Sequence, residues 1–161
     1  MFGLGKKKVT LNPPCSGKVV GIDAVPDPIF ADRMLGDGFA VEPDADQATI
    51  EFCAPTAGKL HKVFHTGHAF TLISTDGLEL LVHIGLETVE LKGKGFDVLA
   101  KDGDEVQAGT PIVRVAADEV RAAGYNLITP IVCTKPSQVD SVSVDASARA
   151  ITDCACTVKL A

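Results

Sequence analysis

"HAFTLISTDGLELLVHI", His68 to Ile84, decides what kind of fold this chain adopts. Two runs rich in Phe, Thr, Leu, Ile and Val flank the turn-forming Ser74-Thr75-Asp76-Gly77, the pattern of two antiparallel strands joined by a tight loop. Four-residue loops built on a type I turn and two-residue Asp-Gly loops are both common hairpin connections. With the first, Ile73 faces Leu78 and His68 lies directly opposite His83, Cβ atoms about 5 Å apart. With the second the histidines are diagonal, about 7–8 Å apart and still on one face. A three-residue loop would move one of them to the other face.

The same texture extends both ways. Turn signals recur at Pro13-Pro14, Pro26-Asp27-Pro28, Gly36-Asp37-Gly38, Pro43-Asp44, Gly93 to Gly95, Asp102-Gly103-Asp104 and Gly109 to Pro111. Between them lie short runs rich in Val, Ile, Leu, Phe and Thr, which predicts an all-β antiparallel sandwich or barrel. "PCSGKVVGI" (Pro14–Ile22) and "PTAGKLHKV" (Pro55–Val63) echo one another, each a turn opening a strand, and suggest a duplicated β motif whose halves pack together. The clearest helical stretch is "DEVRAAG", with Asp118 as cap and Gly124 as stop; further turns are expected at Pro28–Met34 and Glu87–Leu91. The chain reads as a loose tail over 1–12 and one domain over 13–161.

With 161 residues, 46% apolar and 22% charged, the chain can bury a single core and needs no second domain. A net charge of −6 has the wrong sign for holding a nucleic-acid backbone. Lys6-Lys7-Lys8 reads as a solvated tail, with weak contact to anionic lipid as the other possibility; the lysines follow a stub rather than precede an apolar run, so this is no signal peptide. No apolar stretch approaches the roughly 20 residues a spanning helix needs. Cys15, Cys53, Cys133, Cys154 and Cys156 form no C-x-x-C pair and read as reduced structural thiols, pointing to a cytoplasmic protein. Cys154 and Cys156 would share one face of a strand.

Two adjacent imidazoles need hydrogen-bond partners and repel once both are protonated, so chemistry is favoured over core filling. The choices are a metal site or a nucleophile, with Thr66 two residues before His68 to supply a hydroxyl. His61 and His65 have a zinc-like spacing for a helix, but on an extended strand four residues span about 13 Å, too far for one ion. His68 and His83 alone offer two ligands, enough only for a zinc site completed by a partner. Gly17-Lys18 and Gly58-Lys59 lack the remaining residues of a nucleotide-binding loop, and Gly36-x-Gly38 and Gly93-x-Gly95 lack the third glycine of a dinucleotide loop.

With these residues in view, the chain resembles the glucose-family enzyme IIA component of the bacterial phosphoenolpyruvate-dependent sugar phosphotransferase system. The likeness runs from about Pro13 to about Thr134 and rests on "VPDPIFADRMLGDGFAVEP", "APTAGKLHKVFHTGHAFTL" and, above all, "LLVHIGLETVELKGKGF". It implies an antiparallel β-sandwich with a shallow active face and no bound cofactor. It implies that His83 accepts a phosphoryl group from the phosphocarrier HPr and passes it to the IIB domain of a membrane-embedded IIB/IIC permease for glucose or N-acetylglucosamine. His68 matches the supporting histidine and Thr66 the hydroxyl orienting the pair. Phe30, Phe64 and Leu81 match an exposed apolar docking rim, Asp27 and Glu87 the acidic residues beside it. Here Glu87 stands where many members carry Asp, and His65 where an acidic residue is commoner.

Two other readings compete. "DGDEVQAGTPIV" (Asp102–Val113) carries the G-D-x-V-x-x-G turn of lipoyl and biotinyl carriers, but no Met-Lys-Met or Asp-Lys-Ala offers the lysine they modify. A regulatory binding module without transfer is the other. The chain's own start, "MFGLGKKK", suggests a free-standing protein that meets the membrane only through the permease.

Overall fold

A computed structural model describes residues 7–161. Its thirteen strands are β1 (Lys8–Leu11), β2 (Gly17–Gly21), β3 (Gly38–Pro43), β4 (Ile50–Cys53), β5 (Gly58–Val63), β6 (Ala69–Ser74), β7 (Glu79–His83), β8 (Phe96–Val98), β9 (Glu105–Val106), β10 (Pro111–Val115), β11 (Thr129–Cys133), β12 (Val139–Val144) and β13 (Cys156–Leu160). Every pairing among them is antiparallel. Seven strands form one sheet in the order β2-β3-β11-β7-β6-β5-β9; β1-β13-β12 and β4-β10-β8 form two smaller ones. The expected all-β architecture is what the chain adopts.

The pleat of the large sheet sorts its side chains into two clusters. Phe39, Val41, Phe70, Leu72, Leu80, Val82 and Ile131 point inward to the main core. Ala40 and Val132 point the other way and, with half-buried Val20 and Leu81, join Ile22, Val25, Phe30 and Ile128 in a second cluster on the outer face. That patch is roofed by α1 (Pro28–Ala31), whose start is set locally: Asp27 accepts a hydrogen bond from Ile29 N–H over 3.0 Å, with Pro28 in the first turn.

The echoed motif has a physical basis. Each copy opens the outer strand of a hairpin, β2 against β3 and β5 against β6. A Cβ on Gly17 would sit 2.1 Å from the Glu42 carbonyl oxygen, and one on Gly58 2.2 Å from that of Ile73, so both first residues must be glycine. Val19 and Leu60 then reach the same core.

Three expectations are corrected. The tail over 1–12 is too long: Lys8–Leu11 form β1 on β13, burying Val9 and Leu11 because they alternate inward, while residues 1–6 lie outside the described part. Of the basic cluster, Lys7 pairs with Asp76 at 3.5 Å and Lys8 opens the strand. The second helix, α2, spans Ala117–Ala122, so Asp118 lies in its first turn rather than capping it; Gly124, at φ 95°, follows its end as expected. Cys154 and Cys156 share no strand face, since β13 begins at Cys156, leaving Cys154 exposed and Cys156 buried. Burial pushes the thiols of Cys15, Cys133 and Cys156 up to about 12 and that of Cys53 to about 11, so these four are inert packing groups.

Candidate functional site

His83 ends β7 on the outer face, where the pleat places it in line with Leu81 and beside the second cluster. This explains a histidine within an apolar run: Val82 and Ile84 on either side face the core, and the ring does not. Phe30 supports it, ring centroids 5.4 Å apart. Immediately after the strand, Gly85 adopts φ 77° and returns its carbonyl oxygen to within 2.6 Å of His83 Nδ1. A carbonyl only accepts, so Nδ1 carries the proton. The neutral ring therefore keeps its lone pair on Nε2.

His68 reaches the same place by another route. The loop joining β6 to β7 has three residues, Thr75–Gly77: Ser74 N–H bonds the Leu78 carbonyl over 2.9 Å, and Ala69, not His68, faces His83. Neither expected loop length holds, and strict alternation would send His68 to the core. It escapes because β6 starts one residue later. His65–His68 form the loop of the preceding hairpin, closed by Phe64 N–H on the Ala69 carbonyl at 3.1 Å, with Gly67 at φ 73°. The His68 backbone stays tied just past the end of β7, its carbonyl accepting from Ile84 N–H over 2.7 Å, while its ring lies 5.5 Å from that of His83, steeply inclined at 72°. Its Nδ1 is 2.6 Å from Thr66 Oγ1, and Phe64 packs edge-on against it at 5.2 Å.

Both imidazoles are held below the ordinary histidine range. For His83 the cause is burial, opposed by its bond to the Gly85 carbonyl and by the Asp27 carboxylate. For His68 it is burial, then the like charges of His83 and His65. Two neutral rings, one with a defined Nε2 lone pair, suit nucleophilic chemistry near neutral pH.

The remaining predicted residues divide. Phe64 and Leu81 are half-buried at the edge of the site. Phe30 is only 4% exposed and does not form an exposed rim; as the second cluster's largest side chain it is drawn under the outer face. Asp27 caps α1 and acts on His83 through its charge. Glu87 is exposed and in the left-handed region, φ 59°. His61 lies exposed on β5 and His65 exposed in the loop. Among the described residues no three of His, Cys, Asp or Glu group to hold a metal ion, so a zinc on His68 and His83 would need a ligand from outside.

Sequence reasoning missed Gly85 as the partner of His83; its place two residues after the histidine was the available signal. It also missed Ile29 and Val89, exposed apolar residues beside Phe30 and Thr88, at 46% and 50%. Each lies in a short helical turn, Ile29 in α1 and Val89 in the turn Thr88–Leu91. No helix among the described residues is long and apolar enough to cross a membrane.

With this geometry in place, comparison with known proteins gives the family. The glucose-specific EIIA component of the sugar phosphotransferase system from Staphylococcus aureus strain COL is 42% identical over 147 residues, 89% of this chain and 86% of that protein. The corresponding component from Staphylococcus epidermidis strain RP62A is 39% identical over 148 residues, covering 90% and 87%. The solved structure of glucose permease IIA from Mycoplasma capricolum superposes with a TM-score of 0.80 at 35% identity, covering 94% of this chain and 96% of that one. Residues 9–139 match the family described as phosphoenolpyruvate-dependent sugar phosphotransferase system, EIIA 1, and it is to this family that the chain belongs.

Proposed function

We propose that the protein is a cytoplasmic phosphohistidine carrier, taking a phosphoryl group from phospho-HPr on His83 and handing it to the IIB domain of a glucose- or N-acetylglucosamine-type permease. The observation that carries this reading is the 2.6 Å bond from His83 Nδ1–H to the Gly85 carbonyl, which dedicates Nε2 to attack. In the first transfer Nε2 forms a bond to phosphorus while the bond to the donor breaks, its electron pair returning to the donor. The transition state is loose, so the protein's task is alignment and stabilisation of the equatorial oxygens. The phosphorylated ring gains positive charge, which the Gly85 carbonyl dipole shares through Nδ1–H.

His68 serves as the second donor. When Thr66 donates to its Nδ1, Nε2 carries the proton and can bond a phosphoryl oxygen. Ile29, Val89, Phe64 and Leu81 offer the apolar rim on which both partners dock in turn, with Asp27 and Glu87 as flanking charges. The G-D-x-V-x-x-G turn that favoured a lipoyl-type carrier is used structurally: β9 pairs with β5, and Gly109 N–H bonds the Ala54 carbonyl at 2.9 Å.

The test is incubation with phosphoenolpyruvate, enzyme I and HPr, followed by mapping of the labelled residue. Acid-labile label on His83 alone is expected. Label on His61, His65 or His68 in the wild-type protein would refute the assignment.

A further inference from the structure

Thr88 is 1% exposed, and both ends of its side chain bear on the turn that holds His83. Its hydroxyl donates to the Ile84 carbonyl over 2.5 Å. Its Cγ2 lies 2.7 Å from the point a Cβ on Gly85 would occupy, so the methyl closes over the glycine α-carbon. The far side of the turn is tied too: Leu86 N–H donates to the Asn126 carbonyl over 2.9 Å, and Asn126 Oδ1 in turn accepts from Ile128 N–H. Both peptide planes flanking Gly85 are therefore pinned, one through the Ile84 carbonyl and one through the Leu86 N–H. The second plane carries the Gly85 carbonyl that accepts from His83.

This matters because Gly85 has no side chain to hold its own planes and sits at φ 77°. A free imidazole exchanges between two neutral tautomers, and only the one protonated on Nδ1 leaves Nε2 as a nucleophile. We infer that Thr88 is a positioning residue for the acceptor histidine: by clamping Ile84–Gly85 it keeps the Gly85 carbonyl on His83 Nδ1 and so selects the reactive tautomer. The inference rests on reading His83 as the phosphoryl acceptor and adds a residue that touches neither ring. Since only the competent form reacts, the transfer rate follows its population.

The test uses the full chain labelled with ¹⁵N-histidine. The ring-nitrogen and N–H resonances of His83 and the rate of labelling by phospho-HPr are measured for wild type, Thr88→Val and Thr88→Ser. Wild type should show a protonated Nδ1 with a slowly exchanging proton. Thr88→Ser keeps the hydroxyl and should retain that signature, with a rate within about twofold; Thr88→Val keeps the methyl and should show mixed tautomers, with labelling slowed about tenfold. A merely structural role would lower the melting temperature without moving the ring nitrogens. Unchanged tautomer and rate in Thr88→Val, or equal losses in both variants, would overturn the inference. Should Thr88→Val fail to fold, Thr88→Ala against Thr88→Ser isolates the same hydroxyl. A tautomer shift in a protein that phospho-HPr never labels would uphold the clamp and overturn the acceptor reading instead.

Discussion

His83 and His68 bring their rings within 5.5 Å of each other, but the chain holds them by opposite means. His83 is set by the pleat of β7 and bonded to a backbone carbonyl, which can only accept. His68 closes a loop and is bonded to a hydroxyl, which can donate or accept. The first arrangement fixes one tautomer; the second permits either. A nucleophile benefits from the first, because its lone pair must always be on the same nitrogen. A group that follows charge between two successive transition states benefits from the second. The roles proposed for the two rings follow from the type of partner each one has.

The strongest way to break this comparison is to remove each ring in turn. His83→Gln deletes the attacking nitrogen and is expected to abolish labelling by phospho-HPr. His68→Gln leaves the nucleophile in place, and glutamine still donates one hydrogen bond, so first transfer should survive in part. Onward transfer to the permease should fall more, by roughly 100- to 1,000-fold, the usual cost of losing one preorganised electrostatic contact. Labelling and coupled sugar phosphorylation, measured side by side, decide the matter: equal loss of both steps in His68→Gln would mean the histidines act as one unit.

Gly85→Ala attacks the His83 side of the comparison through the backbone. The new Cβ would lie 2.7 Å from Thr88 Cγ2 and 3.0 Å from the Asn126 carbonyl oxygen, at φ 77°. The left-handed conformation costs an L-residue about 1–2 kcal/mol and overpacking about 1–3 kcal/mol, so a loss of about 2–5 kcal/mol in denaturant unfolding is expected. Labelling should slow as the carbonyl leaves Nδ1. The matching change on the other ring is milder. Thr66→Val removes the partner of His68 and should cost about 1 kcal/mol, felt as a several-fold slower onward transfer with first transfer nearly intact, while Thr66→Ser should restore it. If Thr66→Val slowed the first step as much as the second, the division of roles would be wrong.

The strands and their antiparallel pairing were legible because alternation and turn residues are local signals. The meeting of the histidines was legible too, but the reason given for it was not the one the chain uses. Local sequence offers Ser74–Gly77 as a two- or four-residue loop; the three-residue form is held by Gln138, whose Nε2 donates to the Gly77 carbonyl and whose Oε1 accepts from Glu79 N–H. A residue some sixty positions away leaves no mark on the turn itself. Phe30 was misplaced for a similar reason. Nothing near "DPIF" tells that Ile128 and Val132 will stand beneath it. The start of β1 failed differently: Lys8–Leu11 alternates well, but the run Lys6–Lys8, whose last member opens the strand, masked the alternation.

The smallest expected effect belongs to Asp27, which serves the site in two separable ways. Its side chain caps α1, and its charge holds the His83 imidazole higher than burial alone would leave it. Asparagine caps helices about as well as aspartate, so Asp27→Asn should leave stability unchanged, whereas Asp27→Ala should lose about 1 kcal/mol. Both variants remove the carboxylate, so the His83 pKa should fall further below the ordinary histidine value. The neutral, nucleophilic ring then persists to lower pH. In wild type the labelling rate should hold as pH falls through about 6.5, the ordinary histidine value, and drop only below it, where the ring takes up its proton; in both variants that drop should begin at still lower pH. The comparison is made between shapes of the pH profile rather than heights, because losing a rim charge also weakens docking of HPr at every pH. Profiles of unchanged shape in both variants would show that the carboxylate acts on the helix and the partner but not on the histidine.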